Sequence, residues 1–166
     1  MTETRLDLSA HLSAAGLTDG LAELLAHIAA ACVDIRKVVS GGALAGALGA
    51  SGAVNVQDEE QKKLDVISND ILTDALLALP LVAGVASEEM DNCQPAQHSG
   101  GKFLVLFDPL DGSSNIDINA PVGTIFSVLA APEGEISDAS FMQDGRKQLA
   151  AGYVLYGGQT MLVLTT

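Results

Sequence analysis

Phe103-Leu104-Val105-Leu106-Phe107-Asp108-Pro109-Leu110-Asp111-Gly112-Ser113-Ser114-Asn115 is the stretch that decides the fold. Five apolar residues in a row read as a strand buried on both faces. Asp108 stands where that run ends. Pro109 lacks an N–H and holds its predecessor extended, so the sheet is expected to stop there. Two carboxylates three positions apart then face a Gly-Ser-Ser turn. Gly112 can take a positive φ, and backbone N–H groups in such turns can converge on an anion. Carboxylates beside an anion cradle repel each other and the ligand unless a cation sits between them. The stretch therefore points to Mg²⁺ plus a phosphate.

A second acidic group lies upstream. Ser87-Glu88-Glu89 closes another apolar segment, residues 81–86. In open α/β sheets, ligands gather outside the carboxyl ends of strands. If the two strands are parallel neighbours, Glu88, Glu89, Asp108 and Asp111 meet at one edge. Among the cations only Lys102 is close in sequence, and such a gathering of carboxylates is costly without a metal.

Outward from these strands, the chain divides into a helical first half and a strand-rich second half. Leu21, Leu24, Leu25, Ile28, Cys32, Ile35 and Val39 recur at helical spacing, which predicts a helix over 19–39 with Asp19 as its cap. Residues 41–56 are rich in Gly and Ala and read as a mobile, low-complexity connection. A second helix runs to about residue 79 and buries Leu64, Ile67, Ile71, Leu72, Ala75, Leu76 and Leu79. Its start has two readings: a capping box of Asp58 and Gln61, or a loop over 57–63 with the helix opening near Leu64. Strands are expected over 81–86, 102–107, 124–129, 149–156 and 160–164, with loops over 90–101 and 132–145. Gly157-Gly158 marks a hairpin between the last two strands. No internal repeat is present. The class is α+β or layered α/β.

Composition excludes several functions. The 166 residues carry a formal net charge of −13, which argues against nucleic acid or an anionic membrane as partner. An anionic substrate would have to be met by metal and backbone dipoles rather than by a basic surface. With 48% hydrophobic and 17% charged residues the profile is globular, and one domain with a sizeable core is expected. Cys32 and Cys93 are too few for a disulfide framework, and Cys32 reads as a core thiol. The first residues contain no apolar signal region, and the uncharged run over 41–57 is too short to span a bilayer, so the expected location is cytoplasmic.

Residues 107–117, Phe-Asp-Pro-Leu-Asp-Gly-Ser-Ser-Asn-Ile-Asp, closely resemble the signature of the class I fructose-1,6-bisphosphatases, members of the wider sugar-phosphatase and inositol-monophosphatase group. Four further blocks agree in order and spacing: Lys62-Lys63-Leu64-Asp65-Val66-Ile67-Ser68-Asn69-Asp70, Ser87-Glu88-Glu89, Val122-Gly123-Thr124-Ile125-Phe126, and the run from Ala150 to Gly157 that continues into Thr160-Met161-Leu162-Val163-Leu164. The resemblance implies a layered αβαβα sandwich, of which this chain supplies the N-terminal αβα part. Family members are about twice as long. The expectation is thus a truncated N-terminal domain over 1–166, with the C-terminal sugar-binding domain absent.

The resemblance also implies chemistry: Mg²⁺-dependent attack of water on the 1-phosphate of fructose 1,6-bisphosphate, in gluconeogenesis or the Calvin cycle. Two or three Mg²⁺ ions are implied per site, with Mn²⁺ or Zn²⁺ as substitutes. Glu88, Glu89, Asp108, Asp111 and the Leu110 carbonyl would be the metal ligands. Glu89 would pair with Asp65 to orient and deprotonate the attacking water. Glu59 occupies the position of an acid in a mobile loop that closes over the metals. Asp111, Gly112, Ser113, Ser114 and Asn115 would hold the phosphate. The resemblance implies a homotetramer in the full-length form. A further metal-ligand Glu and the residues that grip the sugar and second phosphate lie in the missing half, so weak or no catalysis is expected of residues 1–166 alone. In AMP-inhibited members a Glu and a Tyr hydroxyl contact the nucleotide; Thr18-Asp19-Gly20-Leu21 and Lys102-Phe103 lack both, so AMP inhibition is not implied. Two other readings stand beside this one: a sedoheptulose bisphosphatase or inositol-monophosphatase-like enzyme, and a non-catalytic Mg²⁺-binding or subunit-contact module.

Overall fold

The computed structural model describes residues 7–17, 20–42, 50–54 and 60–166. In chain order these form α1 (Leu8–Ala14), α2 (Leu21–Gly41), β1 (Ala50–Val54), β2 (Glu60–Lys62), α3 (Lys63–Leu77), β3 (Val82–Ser87), β4 (Gln94–Pro95), β5 (Phe103–Asp111), β6 (Val122–Ala130), α4 (Asp138–Phe141), β7 (Ala150–Tyr156) and β8 (Thr160–Thr165). Short 3₁₀ helices cover Ser113–Ile118 and Gly145–Lys147.

A six-stranded mixed sheet in the order β4-β3-β5-β6-β7-β8 carries the fold. β3 and β5 are parallel neighbours, and every other pairing in the sheet is antiparallel. Strand alternation sets two faces. Phe103, Val105 and Phe107 of β5, Val122, Phe126 and Val128 of β6, and Val154 and Tyr156 of β7 face the helices and join one core with Leu24, Ile28, Cys32 and Ile35 of α2 and Leu64, Leu72 and Leu76 of α3. On the other face Leu104, Leu129 and Phe141 of α4 form a smaller cluster. α2 is tied to the last hairpin by Arg36, which donates to the Thr160 hydroxyl at 3.1 Å, to the Gly157 carbonyl at 3.3 Å and to the Ser40 hydroxyl.

Several expectations change. α2 begins one turn position later than read from sequence: Gly20 is its N-cap, at φ 90° and without a side-chain hydrogen bond, and Asp19 lies outside the described residues. A left-handed cap residue suits glycine, which has no Cβ to strain. The second helix follows the later of its two readings, opening at Lys63, while residues 60–62 pair with 50–54 as an antiparallel hairpin. The stretch over 41–56 therefore contains a strand as well as the end of α2. The loop over 132–145 contains α4, opened by a capping box in which Ser137 and Ser140 each satisfy the other's backbone N–H.

The main correction concerns Pro109. The sheet does not stop at Asp108: β5 continues to Asp111. Asp108 lies opposite Ile125 and Asp111 opposite Gly123, so Pro109 and Leu110 together face Thr124 alone. This is a bulge, which accepts a residue without an N–H. β3 pairs with β5 only as far as Phe107, so beyond that point one side of β5 has no strand to supply with donors. The Thr124 hydroxyl donates to the Pro109 carbonyl at 2.8 Å. Among the described residues no helix is long and apolar enough to cross a membrane.

Candidate functional site

The parallel pairing of β3 and β5 brings one member of each acidic group together, Glu88 and Asp108, rather than gathering all four carboxylates as expected. Ser87 lies opposite Phe107, and the Glu88 N–H donates to the Phe107 carbonyl at 3.1 Å. The next residues on each strand, Glu88 and Asp108, then face each other in side-chain hydrogen-bonding contact. Burial first, and then the Glu88 contact and its charge, push the Asp108 carboxyl up to about 7; the charge of Asp111 adds to this, and the Leu110 N–H donating to Asp108 Oδ1 at 3.0 Å opposes it. The two carboxylates repel when both are ionised. They open onto a cavity of roughly 630 Å³ on the sheet face away from α2 and α3, lined also by Ile125, Tyr153 and Val163.

Beyond the bulge the chain turns at Gly112, whose φ of 78° meets the expectation for this position. The turn is longer than read from sequence and becomes the 3₁₀ helix Ser113–Ile118. The Asn115 N–H donates to the Gly112 carbonyl at 2.8 Å, and its side-chain amide donates to the Pro121 carbonyl at 3.1 Å. These bonds set Ser113 and Ser114 immediately after the acidic pair. Asp111 is exposed at the mouth of the turn.

The remaining candidates occupy neighbouring elements. Asp65 is only 2% exposed in the first turn of α3, which packs on β3 and β5. Glu89 is half-buried, and its N–H donates to Ser87 Oγ at 3.2 Å. Glu59 lies outside the described residues. Among the described residues no three His, Cys, Asp or Glu side chains stand close enough together to hold a metal ion. The pair Glu88–Asp108 nevertheless fits one: its donors are all oxygen, as a hard divalent cation requires, and its like charges call for a counter-ion.

Sequence reasoning gave Thr124 no role. The signal was available in the pattern, since Thr124 interrupts the inward-facing series Val122, Phe126 and Val128 with a hydroxyl, and it is fully buried. A buried hydroxyl needs a partner, and here the partner is the Pro109 carbonyl between the acids.

Comparison with known proteins places this geometry. The family model for the fructose-1,6-bisphosphatase N-terminal domain matches residues 1–166. A class 1 fructose-1,6-bisphosphatase of Shewanella amazonensis is 60% identical over 96% of this chain and 49% of its own length. One from Neisseria gonorrhoeae is 57% identical over 95% of this chain and 48% of its own. Among solved structures, the holo form of Leishmania major fructose-1,6-bisphosphatase superposes with a TM-score of 0.90 at 34% identity, covering 98% of this chain and 52% of that one. A Toxoplasma gondii chain provisionally assigned as a sedoheptulose-1,7 bisphosphatase gives 0.83 at 30% identity, covering 97% and 50%. The chain spans about half the length of the curated relatives it matches. Matched from residue 1 to residue 166, with its acidic pair and glycine turn in one sheet edge, the chain belongs to the fructose-1,6-bisphosphatase family.

Proposed function

We propose that these residues carry the metal and phosphate half of a fructose-1,6-bisphosphate 1-phosphatase, which releases phosphate and fructose 6-phosphate. The observation that carries this reading is the Glu88–Asp108 contact at the carboxyl ends of two parallel strands, directly before the Gly112 turn. Metal dependence is general in the family; Mg²⁺, two or three ions per site, is our specific reading.

Glu88, Glu89, Asp108, Asp111 and the Leu110 carbonyl would hold the ions. When bound, such ions supply Lewis acidity and neutralise charge on the phosphoryl oxygens. Asp65 and Glu89 orient the attacking water and take its proton. Glu59, outside the described residues, would be a further acid of the same site. The Ser113 and Ser114 hydroxyls, with the backbone N–H groups from Gly112 to Asn115, hold the phosphoryl oxygens. In-line attack on a phosphate monoester asks mainly for such positioning and charge neutralisation. A tetrameric assembly and a cytoplasmic location in carbohydrate metabolism belong to the same reading.

The test is phosphate release with and without Mg²⁺ across fructose 1,6-bisphosphate, sedoheptulose 1,7-bisphosphate and inositol monophosphate. Residues 1–166 alone should turn over weakly or not at all, and Asp108→Asn should abolish any Mg²⁺-dependent release. Preference for the seven-carbon bisphosphate would favour the second reading, motivated by the likeness to the Toxoplasma gondii chain. Metal binding with no turnover of any substrate would favour a non-catalytic module.

A further inference from the structure

A buried cluster of side chains lies between α2 and the sheet and reaches the bulge. Cys32, Tyr156 and Thr124 are 2%, 4% and 0% exposed. They come from three separate elements, α2, β7 and β6. The Thr124 hydroxyl is 2.8 Å from the Pro109 carbonyl and 2.7 Å from the Tyr156 hydroxyl, and the Cys32 thiol lies beside both hydroxyls.

Counting protons fixes the direction of the line. A carbonyl can only accept, so the Thr124 proton points to Pro109. Tyr156 must then donate to Thr124, and the Cys32 thiol is left to donate to a lone pair of either hydroxyl. Both hydroxyl protons are thus committed, Tyr156 to Thr124 and Thr124 to Pro109. Burial and the neighbouring Cys32 hold the Tyr156 phenol protonated, well above its usual range, which keeps the line intact.

The line ends at a sensitive point. Pro109 is the buried centre of a bulge in which two residues of β5 face Thr124 alone, so the regular ladder does not define its position. Pro109 contributes no N–H of its own, and its carbonyl is anchored by a side chain. Asp108 and Leu110 flank it directly, and Asp111 is two residues away. A change in the pitch of Pro109 would therefore move all of the ligand-bearing atoms of the turn together.

We propose that Tyr156 and Thr124, packed against Cys32, form a one-way hydrogen-bond relay that positions the Asp108–Asp111 bulge, with Thr124 the positioning residue for divalent-cation binding. The part concerning cations rests on the metal reading given above. Outer groups that orient ligands commonly change metal affinity by about 10–100-fold when removed. Thr124→Val keeps the shape and deletes the hydroxyl. Tyr156→Phe deletes only the second member, and Thr124→Ser restores the first.

The experiment measures two quantities on the whole chain: Mn²⁺ affinity, by the loss of the free-ion electron paramagnetic resonance signal, and amide hydrogen exchange. Thr124→Val should weaken Mn²⁺ binding about tenfold or more. It should speed exchange at Leu110 and Asp111 while leaving α2 and α3 amides unchanged. Tyr156→Phe should move both readouts the same way by less, and Thr124→Ser should recover them. If Thr124→Val does not fold, Tyr156→Phe and Thr124→Ser carry the same comparison. Parent-like affinity and exchange in both hydroxyl-deleting variants would overturn the relay. So would a loss spread evenly over all amides that Thr124→Ser fails to repair. If the parent itself binds no Mn²⁺, the metal reading fails, and local exchange at Leu110 and Asp111 still decides whether the relay sets the bulge.

Discussion

The two faces of the central sheet are built from the same strands and the same residue types, yet they differ in what covers them. On one face Val105, Val128 and Val154 are sealed beneath α2 and α3, at no more than 3% exposure. On the other, Ile125, Tyr153, Leu155, Met161 and Val163 stay 39–51% exposed. Alternation in the sequence is apolar on both sides of β6, β7 and β8, which is the pattern of a sheet covered twice. The described residues cover one side fully and the other only at the end near α4. The acidic pair sits on the less covered side, at the boundary of the cavity. Stability and chemistry are thus divided between the faces: one holds the fold, the other presents Glu88 and Asp108.

Substitutions can break or sharpen that contrast. The largest effect is expected on the covered face. Ile35→Ala, at a fully buried α2 position, should cost about 2–5 kcal/mol in denaturant unfolding, because a cavity opens that the helix cannot close. A loss below 1 kcal/mol would mean that α2 is not seated as described.

An intermediate effect, of opposite sign, is expected at Asp108. Its carboxyl titrates near 7 in the fold and near 3.8 when the chain is open. The folded state therefore binds more protons between these values. The contribution is fully present below the lower value and is lost as pH rises through about 7. Cation-free protein should unfold more easily at pH 8 than at pH 5 on account of this group, and Asp108→Asn should flatten that dependence. A divalent cation must displace the proton, so its affinity should rise with pH up to about 7 and then level off. Titration calorimetry at three pH values would check this, and an affinity that is flat with pH would contradict it.

The smallest effect is expected on the open face. Val163→Thr, on an edge strand at 40% exposure, should shift unfolding by no more than about 0.5 kcal/mol. It should also lower self-association measured by sedimentation, since β8 has a free edge in the described sheet and its residues carry no charge. A cost comparable to that of Ile35→Ala would erase the distinction between the faces.

How much of this was legible in the sequence depended on whether the signal was local. The run Phe103–Phe107, the glycine at 112 and the Gly157-Gly158 hairpin are each decided by neighbouring residues, and the structure bears out each of them. The meeting of Glu88 and Asp108 was conditional on parallel pairing, which the sequence could pose but not decide; the Ser87–Phe107 register supplies it. Pro109 misled because its missing N–H matters only where a strand expects a donor. Whether one does is a property of β3 ending first. The short helix α4 has only four residues, too few for any period to appear. The Cys32–Tyr156–Thr124 cluster joins residues from three elements and leaves no spacing to read.

The grip of Arg36 on the last hairpin has a consequence for synthesis. Its partner Thr160 lies 124 positions away in the chain, and the α2 core also needs Val154 and Tyr156. The part of α2 that rests on β7 thus waits for residues beyond 150 before it is covered, while α3 can pack on α2 earlier. Contacts of such long separation slow folding and lengthen the exposure of unfinished surface. The meander β5-β6-β7-β8, whose pairings are all between successive strands, can assemble first and receive α2 afterwards. A nascent chain halted before residue 150 would hold α2 against α3 but leave the β7-facing part of the helix open to whatever chaperone meets it.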